Sequence, residues 1–292
     1  MKLLVIGGSG LIGSHVLRAA RQAKHDAAGT FRGHAQPGLI KLDCADSAAV
    51  ASLLETERPD AVIHAAGWTW VDGCEDDPRR AFAENTEQPA ALAAQCQKAG
   101  CQLVYFSSSY VFDGKAGPYR EDAKPNPINV YGESKLRAEQ QIMAAHAEAL
   151  IARVICVYGA EAQAKNFAYQ VRRAMEQGQA LRLPSDQRGN PTYAGDIARW
   201  LITLLERAAN GVWHLAGPWP DCTRTEWARR LVDALEGVGV RRHSQFAIEE
   251  LPTAELRQRA KRPLHGGLLT LRTDALGFGA TDFEKTVAEM VR

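Results

Sequence analysis

The sequence has almost no net charge. Its 292 residues include 35 lysines and arginines against 34 aspartates and glutamates, which leaves a net charge of +1. A protein that binds DNA or RNA normally concentrates positive charge to attract the phosphates. We therefore expect no nucleic acid among the main partners.

The chain also lacks the cysteine spacing of a metal site or of a disulfide framework. Its six cysteines are scattered, and no two of them form a C-x-x-C pair. Structural zinc sites and disulfide-rich domains both depend on closely spaced cysteines. We expect a protein without a metal that works in a reducing compartment.

No apolar run approaches the length of a membrane span. The N-terminal segment MKLLVIGGSGLIGSHVL is apolar after Lys2, but spaced glycines interrupt it and no small-residue cleavage pattern follows. A signal peptide or a membrane helix needs a longer uninterrupted run. We expect a cytoplasmic protein that does not bind a membrane.

Short apolar runs alternate with helical patterns over the first half of the chain. Runs at 2–6, 27–31, 60–67, 102–107 and 149–158 predict strands, and helices are predicted at 11–20, 47–57, 81–99, in the segment that carries YGESK, and at 167–177. This rhythm is typical of βαβ units. It predicts an α/β protein with a doubly wound parallel (Rossmann) sheet.

Beyond Gly159 the rhythm is lost and polar loops rich in proline and glycine separate short helices. We expect a smaller, discontinuous C-terminal lobe for the substrate. The predicted dinucleotide-binding domain comprises residues 1–159 plus about 190–216, and the lobe comprises about 160–189 plus 217–292.

A glycine-rich turn stands between the first predicted strand and the first helix. Its residues that we expect to bind a cofactor are Gly7, Gly10, Leu11, Ile12 and Gly13. Backbone N–H groups and the helix dipole favour a pyrophosphate at such a place. The alternative is a tight turn that needs glycine only for packing.

The end of the second strand has no acidic residue to accept the ribose hydroxyls of NAD. Arg32 stands there instead, and its guanidinium matches the geometry of a 2′-phosphate. We expect NADPH as the cofactor, with NADH possible, although Arg32 also fits a solvated surface residue. Asp43 is predicted either to bind the adenine amino group or to be a helix N-terminal charge.

Tyr131 and Lys135 lie one helical turn apart in the stretch YGESK, and Ser108 ends the strand before that helix. In our hypothesis Tyr131 gives a proton to a carbonyl, Ser108 polarises that carbonyl, and Lys135 favours ionised Tyr131 and bonds the nicotinamide ribose. The alternative is that Tyr131 only packs and Lys135 is solvated.

Longer motifs give a resemblance to a known family. The glycine turn, Ser108 and the Tyr131/Lys135 pair resemble extended short-chain dehydrogenases/reductases. The stretches YVFDG (110–114), PNPINVYG (125–132) and DQRGNPTY (186–193) resemble, more narrowly, the dTDP-4-dehydrorhamnose reductase family. The resemblance implies reduction of the 4-keto group of a nucleotide-linked deoxysugar, with the trio Ser108, Tyr131 and Lys135 catalytic. It also implies cofactor contacts at the glycine turn, Arg32, Ala65, Ala66 and Lys135.

The sequence departs from that family on the substrate side. Ser108 and Ser109 replace a Thr-Asp pair, Cys156 replaces a tryptophan, and the C-terminal pocket motif is only partly present around Arg262 and His265. We therefore expect a divergent substrate pocket. Its predicted lining is Trp68, Ser109, Tyr110, Cys156, Arg262 and His265.

Two other functions stay open. The first is a nucleotide-sugar epimerase or dehydratase that holds NAD tightly. The second is a non-catalytic dinucleotide-binding subunit, because YVFDG also resembles the regulatory subunit of methionine adenosyltransferase. Helices at 81–99 and 136–149 are candidates for a homodimer interface by analogy with the superfamily.

Overall fold

A computed structural model describes residues 1–218 and 222–291 of the chain. Residues 219–221 and 292, which belong to the predicted second lobe, lie outside the described residues. The strands are β1 Lys2–Ile6, β2 Asp26–Phe31, β3 Leu39–Lys41, β4 Ala61–His64, β5 Gln102–Ser108, β6 Leu150–Val154, β7 Val157–Tyr158, β8 Ala180–Pro184, β9 Arg188–Gly189, β10 Thr192–Tyr193, β11 Gly211–Leu215, β12 Cys222–Thr223 and β13 Ala247–Leu251.

The α-helices alternate with the strands in the first half of the chain. They are α1 Leu11–Gln22, α2 Ser47–Glu57, α3 Val71–Asp76, α4 Pro78–Phe82, α5 Gln88–Ala99, α6 Val130–Ala145, α7 Phe167–Gln177, α8 Ala194–Glu206, α9 Arg224–Gly237, α10 Leu271–Asp274 and α11 Phe283–Val291. A π-helical turn, Ala83–Glu87, joins α4 to α5, and 3-10 turns cover Ser109–Val111 and Thr253–Leu256.

The central sheet has seven strands in the order β11-β6-β5-β4-β1-β2-β3, and all of its pairings are parallel. Alternate side chains of β1 enter different cores. Leu3 and Val5 pack in a core with residues of α1 and α8, whereas Leu4 and Ile6 pack in a core with residues of α2, α5 and α6. Helices thus cover both faces, and the prediction of a doubly wound α/β sheet is confirmed.

The predicted strand at 149–158 is shorter in the structure. It ends at Val154, and Cys156 takes a left-handed backbone conformation with φ of 47°. Because this conformation turns the chain sharply, β7 leaves the sheet and pairs with β10 instead. The break places Cys156 at the carboxyl edge of the sheet.

The predicted helix at 81–99 also differs, since it begins at Pro78 and contains the π-helical turn. The predicted helix at 136–149 ends at Ala145, where the chain turns into β6. Residues 211–215 form β11, which pairs with β6 in the central sheet.

A second core lies beyond the sheet. It contains buried side chains of α7, α9 and α11, among them Met175, Trp227 and Val287. The parallel pair of β8 and β13 packs beside it. The division of the chain into two domains at the stated boundaries stays a prediction. Among the described residues, no helix is both long enough and apolar enough to cross a membrane.

Candidate active site

Two adjoining clefts run along the carboxyl edge of the sheet. The larger has a volume of about 720 Å³ and the smaller about 450 Å³. Gly10, Ala65, Gly67, Thr69 and Trp70 line both of them. Ligands of doubly wound proteins bind at this edge. We call the larger one the substrate cleft and the smaller one the cofactor cleft.

The glycine turn forms the floor where the clefts meet. A Cβ on Gly13 would lie 2.2 Å from the Gly7 carbonyl oxygen, and Gly7 itself has φ of +86°. No side chain caps α1 at Gly10, and Leu11 and Ile12 line the substrate cleft. Since the first N–H groups of a helix need acceptors, this uncapped end fits the pyrophosphate of a nicotinamide dinucleotide. The role of these residues stays a prediction.

The two residues predicted to contact the adenosine, Arg32 and Asp43, differ in their position relative to the cofactor cleft. Arg32 lines the cofactor cleft, where its Nη2 lies 3.1 Å from Glu84 Oε2. Asp43 does not line it, and its Oδ1 instead accepts the backbone N–H of Ala45. Its neighbours Leu42 and Cys44 line the cleft. Asp43 lies in the loop before α2, whose N-cap is Asp46, and a contact of Asp43 with the adenine stays a prediction.

The N-terminus of α6 is fixed by contacts from three segments. The Asn129 side chain accepts the Gly132 N–H at 2.7 Å, and Glu75 accepts the Val130 N–H at 2.9 Å. A Cβ on Gly132 would lie 2.0 Å from the Tyr110 carbonyl oxygen. Glycine after Tyr131 therefore lets α6 approach the strand end closely, which sets the position of the tyrosine.

Ser108 and Tyr131 meet on the wall of the substrate cleft. Each is 7% exposed, and both line the cleft. The Ser108 hydroxyl accepts the Tyr110 N–H at 3.2 Å, and the Tyr110 ring stands edge-on to Tyr131 with centroids 5.5 Å apart. The tyrosine is thereby held with its ring between the strand end and the cleft.

Burial raises the pKa of Tyr131 above its ordinary value, and an interaction with Ser108 opposes the shift only in part. Removal from water disfavours the charged form of the phenol more than the Ser108 hydroxyl favours it. That Lys135 favours the ionised phenol stays a prediction.

Lys135 lies just behind the cleft wall. Its Nζ donates to the Tyr105 hydroxyl at 3.0 Å and to the Phe106 carbonyl at 2.9 Å. It would lie 3.7 Å from a Cβ on Gly67, which lines both clefts. Burial lowers the pKa of Lys135 to about 8, and the charge of Glu139 opposes that shift. An ammonium has three donors, so one remains after these two hydrogen bonds.

The sequence reasoning missed a buried ion pair next to this lysine. Arg153 donates two hydrogen bonds to Glu139, at 2.9 and 2.7 Å, and Ser107 donates a third at 2.5 Å. The pair lies under the strand end that carries Ser108. The available signal was a single arginine inside the apolar run of β6, because a charge is rarely buried without a partner.

His64 ends β4 and is 2% exposed. Neither ring nitrogen has a hydrogen-bond partner among the described residues. Burial, with a smaller contribution from the charge of Lys135, lowers its pKa to about 3. The ring is therefore neutral at physiological pH.

The predicted substrate residues separate into three groups. Ser109, Tyr110 and Cys156 line the substrate cleft, and Trp68 lines only the cofactor cleft. Arg262 and His265 line neither, although their neighbours Pro263 and Gly266 line the substrate cleft. Charged and amide residues of the cleft that the prediction missed are Glu161, Lys165, Asn166, Gln170, Gln187, Arg188 and Arg224.

Arg262 instead joins the acidic segment of α3 to the C-terminal region. Its Nη2 lies 2.8 Å from Asp72 Oδ1, which also accepts the Ala260 N–H at 3.0 Å. Asp76, on the same helix, pairs with Arg259 at 2.6 Å. These two carboxylates of α3 hold the segment 259–262 in place, because they bond its guanidinium groups and one of its N–H groups.

The fold and this site define an oxidoreductase of the extended short-chain dehydrogenase/reductase class. The chain belongs to the family described as the RmlD substrate binding domain, which matches residues 1–292. It is 32% identical over 271 residues to a probable low-salt glycan biosynthesis reductase of Haloferax volcanii, covering 90% of this chain and 88% of the relative.

Two further relatives carry different names. Methionine adenosyltransferase 2 subunit beta of Xenopus tropicalis is 30% identical over 240 residues, which cover 80% of this chain and 72% of the relative. A crystal structure of a dTDP-4-dehydrorhamnose reductase from Clostridium acetobutylicum superposes with a TM-score of 0.85 at 25% identity, covering 100% of this chain and 98% of the other. The predicted family and superfamily are thus confirmed.

Proposed function

We propose that the protein reduces the 4-keto group of a nucleotide-linked deoxysugar with NADPH, and that Ser108, Tyr131 and Lys135 carry the reaction. The observation that carries this proposal is the meeting of Ser108 and Tyr131 on one cleft wall, next to the uncapped end of α1. The similarity to a reductase of glycan biosynthesis and to a dTDP-4-dehydrorhamnose reductase supports the sugar-nucleotide class.

A bound nicotinamide cofactor supplies the hydride. Tyr131 retains its phenolic proton at neutral pH, because burial raises its pKa, and gives that proton to the carbonyl oxygen as the hydride reaches the carbon. Ser108 donates a hydrogen bond to the same oxygen and stabilises the charge that develops there. The remaining donor of Lys135 would hold the nicotinamide ribose of the bound cofactor.

The reaction class is tested by NADPH oxidation with a panel of 4-keto nucleotide sugars. We expect turnover with at least one of them, and Tyr131→Phe should lose roughly 10³-fold in kcat, as expected for removal of a general acid. Its affinity for NADPH, measured by fluorescence, should stay unchanged. Tyr169→Phe is the matched control, since Tyr169 bonds the Met290 carbonyl and lines neither cleft.

Unchanged turnover in Tyr131→Phe would remove the tyrosine from the mechanism. Silence of the wild type across the panel, together with tight NADPH binding, would favour a non-catalytic subunit. That second function is motivated by the similarity to methionine adenosyltransferase 2 subunit beta.

The cytoplasmic location and the homodimer are also proposals. Cell fractionation tests the location, and light scattering tests the homodimer.

A further inference from the structure

The cofactor cleft contains one carboxylate for which the proposed reaction has no use. Among the described residues that line it, Glu84 is the single acid, and it stands opposite Arg32. The inference drawn from it rests on the proposed use of a nicotinamide dinucleotide and concerns how the two forms of that cofactor are distinguished.

Glu84 is held between two arginines. Its Oε2 lies 3.1 Å from Arg32 Nη2 and its Oε1 lies 2.8 Å from Arg80 Nε. The Glu84 side chain is only 13% exposed, against 52% for Arg32. The Arg80 guanidinium also lies over the Trp68 ring, 4.1 Å from its centroid. The carboxylate is therefore the fixed member of the pair, and Arg32 is the member free to turn to a ligand.

The backbone explains why this carboxylate faces the cleft. Glu84 belongs to the π-helical turn, and the next two side chains, Asn85 and Thr86, are buried and bond Trp68 and Ser134. These bonds anchor the turn on the side away from Arg32. Wide turns of this kind are frequent at functional sites because they redirect individual side chains.

A 2′-phosphate and Glu84 need the same guanidinium. Arg32 binds a phosphate best with two parallel N–H bonds, but one of its nitrogens already faces Glu84. The carboxylate also repels the phosphate directly, since like charges disfavour each other at this range. A ribose hydroxyl carries no charge and meets neither obstacle. Glu84 would thus limit the affinity that Arg32 gives to NADPH and leave NADH binding unchanged.

We propose that Glu84 determines the cofactor preference of this protein by competing with the 2′-phosphate for Arg32. Arg32 supplies the affinity for the phosphate and Glu84 limits it, so that both dinucleotides are accepted. Glu84 acts through Arg32, and it is a specificity-determining residue without a part in proton or hydride transfer.

The test uses two small probes that differ in the 2′-phosphate, namely adenosine 2′,5′-bisphosphate and 5′-AMP. Their dissociation constants are measured by calorimetry on the full chain. Glu84→Gln should bind the bisphosphate roughly tenfold more tightly at low salt, because the Arg32 guanidinium no longer shares its donors with a carboxylate. The 5′-AMP constant should stay the same. Glu87→Gln is the matched control, since Glu87 belongs to the same turn but is exposed and does not line the cleft.

Arg32→Ala and the double variant Arg32→Ala/Glu84→Gln show whether the effect of Glu84 depends on Arg32. Arg32→Ala should lose the preference for the bisphosphate, and adding Glu84→Gln to it should restore little. The proposal is wrong if Glu84→Gln binds the bisphosphate no more tightly than the wild type does. It is also wrong if Glu84→Gln gives the same gain in affinity in a protein that already carries Arg32→Ala. If the wild type binds neither probe, the dinucleotide proposal itself fails. Silence on carbonyl substrates does not affect this test, because it measures binding alone.

Discussion

The two clefts are built from different kinds of structure. The cofactor cleft is formed by the carboxyl ends of neighbouring parallel strands, with Gly7 after β1, Arg32 after β2 and Ala65 after β4. The substrate cleft gathers residues from segments far apart in sequence, such as Cys156, Gly189, Cys222 and Pro263. The first depends on short local motifs, whereas the second depends on how the C-terminal region packs on the sheet.

The largest effect is expected in the glycine turn of the cofactor cleft, which has no space for an added Cβ. Gly13→Ala places a Cβ 2.2 Å from the Gly7 carbonyl oxygen, so that the turn must move. We expect a loss of about 3 kcal/mol in the free energy of unfolding. We also expect a roughly hundredfold loss of cofactor affinity from the displaced turn. Urea unfolding and NADPH titration measure the two effects.

The control for this variant is Gly237→Ala, on the C-terminal side of the chain. A Cβ there meets nothing within 4 Å, so stability should hold or rise slightly. Equal losses in both variants would show that the two sides do not differ in backbone tolerance.

A smaller effect is expected from breaking the contact that supports the substrate side. Asp72→Asn leaves Arg262, with a side chain only 9% exposed, without its counter-charge. We expect a loss of about 2 kcal/mol, because a charged hydrogen bond to a buried group is removed. The KM for the sugar substrate should rise while the dissociation constant of NADPH stays the same.

Asp76→Asn is the matched variant on the same helix. Its partner Arg259 is 70% exposed, so the loss should stay below about 0.5 kcal/mol. A change of NADPH affinity in Asp72→Asn would contradict the separation of the two clefts.

The smallest effect concerns acid sensitivity on the cofactor side. The folded protein keeps His64 neutral down to about pH 3, whereas the ordinary pKa of histidine is 6.5. Below pH 6.5 this histidine binds a proton in the unfolded chain but not in the folded protein, so the free energy of unfolding falls as the pH is lowered. At pH 5.5, about one unit below the ordinary pKa, His64 should lower the free energy of unfolding by about 1.4 kcal/mol. His64→Leu should remove that part of the decline in urea unfolding.

His214 gives the comparison, because burial also lowers its pKa to about 3. Its Nδ1 bonds the Leu269 carbonyl at 2.9 Å, so replacing it removes a hydrogen bond as well and confuses the measurement. An identical pH dependence of stability in wild type and His64→Leu would mean that His64 is not kept neutral by burial.

The sheet and the cofactor turn could be predicted because their signals are local. A strand, a glycine turn and a helix occupy 21 consecutive residues from Lys2 to Gln22, and each signal follows from backbone geometry. The Tyr131-Gly132 pair is equally local, although its reason, the approach of the Tyr110 carbonyl, appears only in three dimensions.

The rest depends on contacts between distant residues. Glu139 and Arg153 lie 14 residues apart and join through the core, so no spacing rule identifies them as partners. Arg262 resembled a substrate residue by its motif, but its guanidinium lies against Asp72. The raised pKa of Tyr131 depends on the burial of its side chain. That burial is set by the fold, and the spacing of Tyr131 and Lys135 in the sequence gives no information about it.

The π-helical turn connects three parts of the molecule. Its three successive side chains, Glu84, Asn85 and Thr86, bond Arg32 in the cofactor cleft, the loop after β4 and Ser134 in the helix that carries Lys135. One short backbone segment thus holds a wall of the cofactor cleft and the N-terminal half of α6 in a fixed relation to each other.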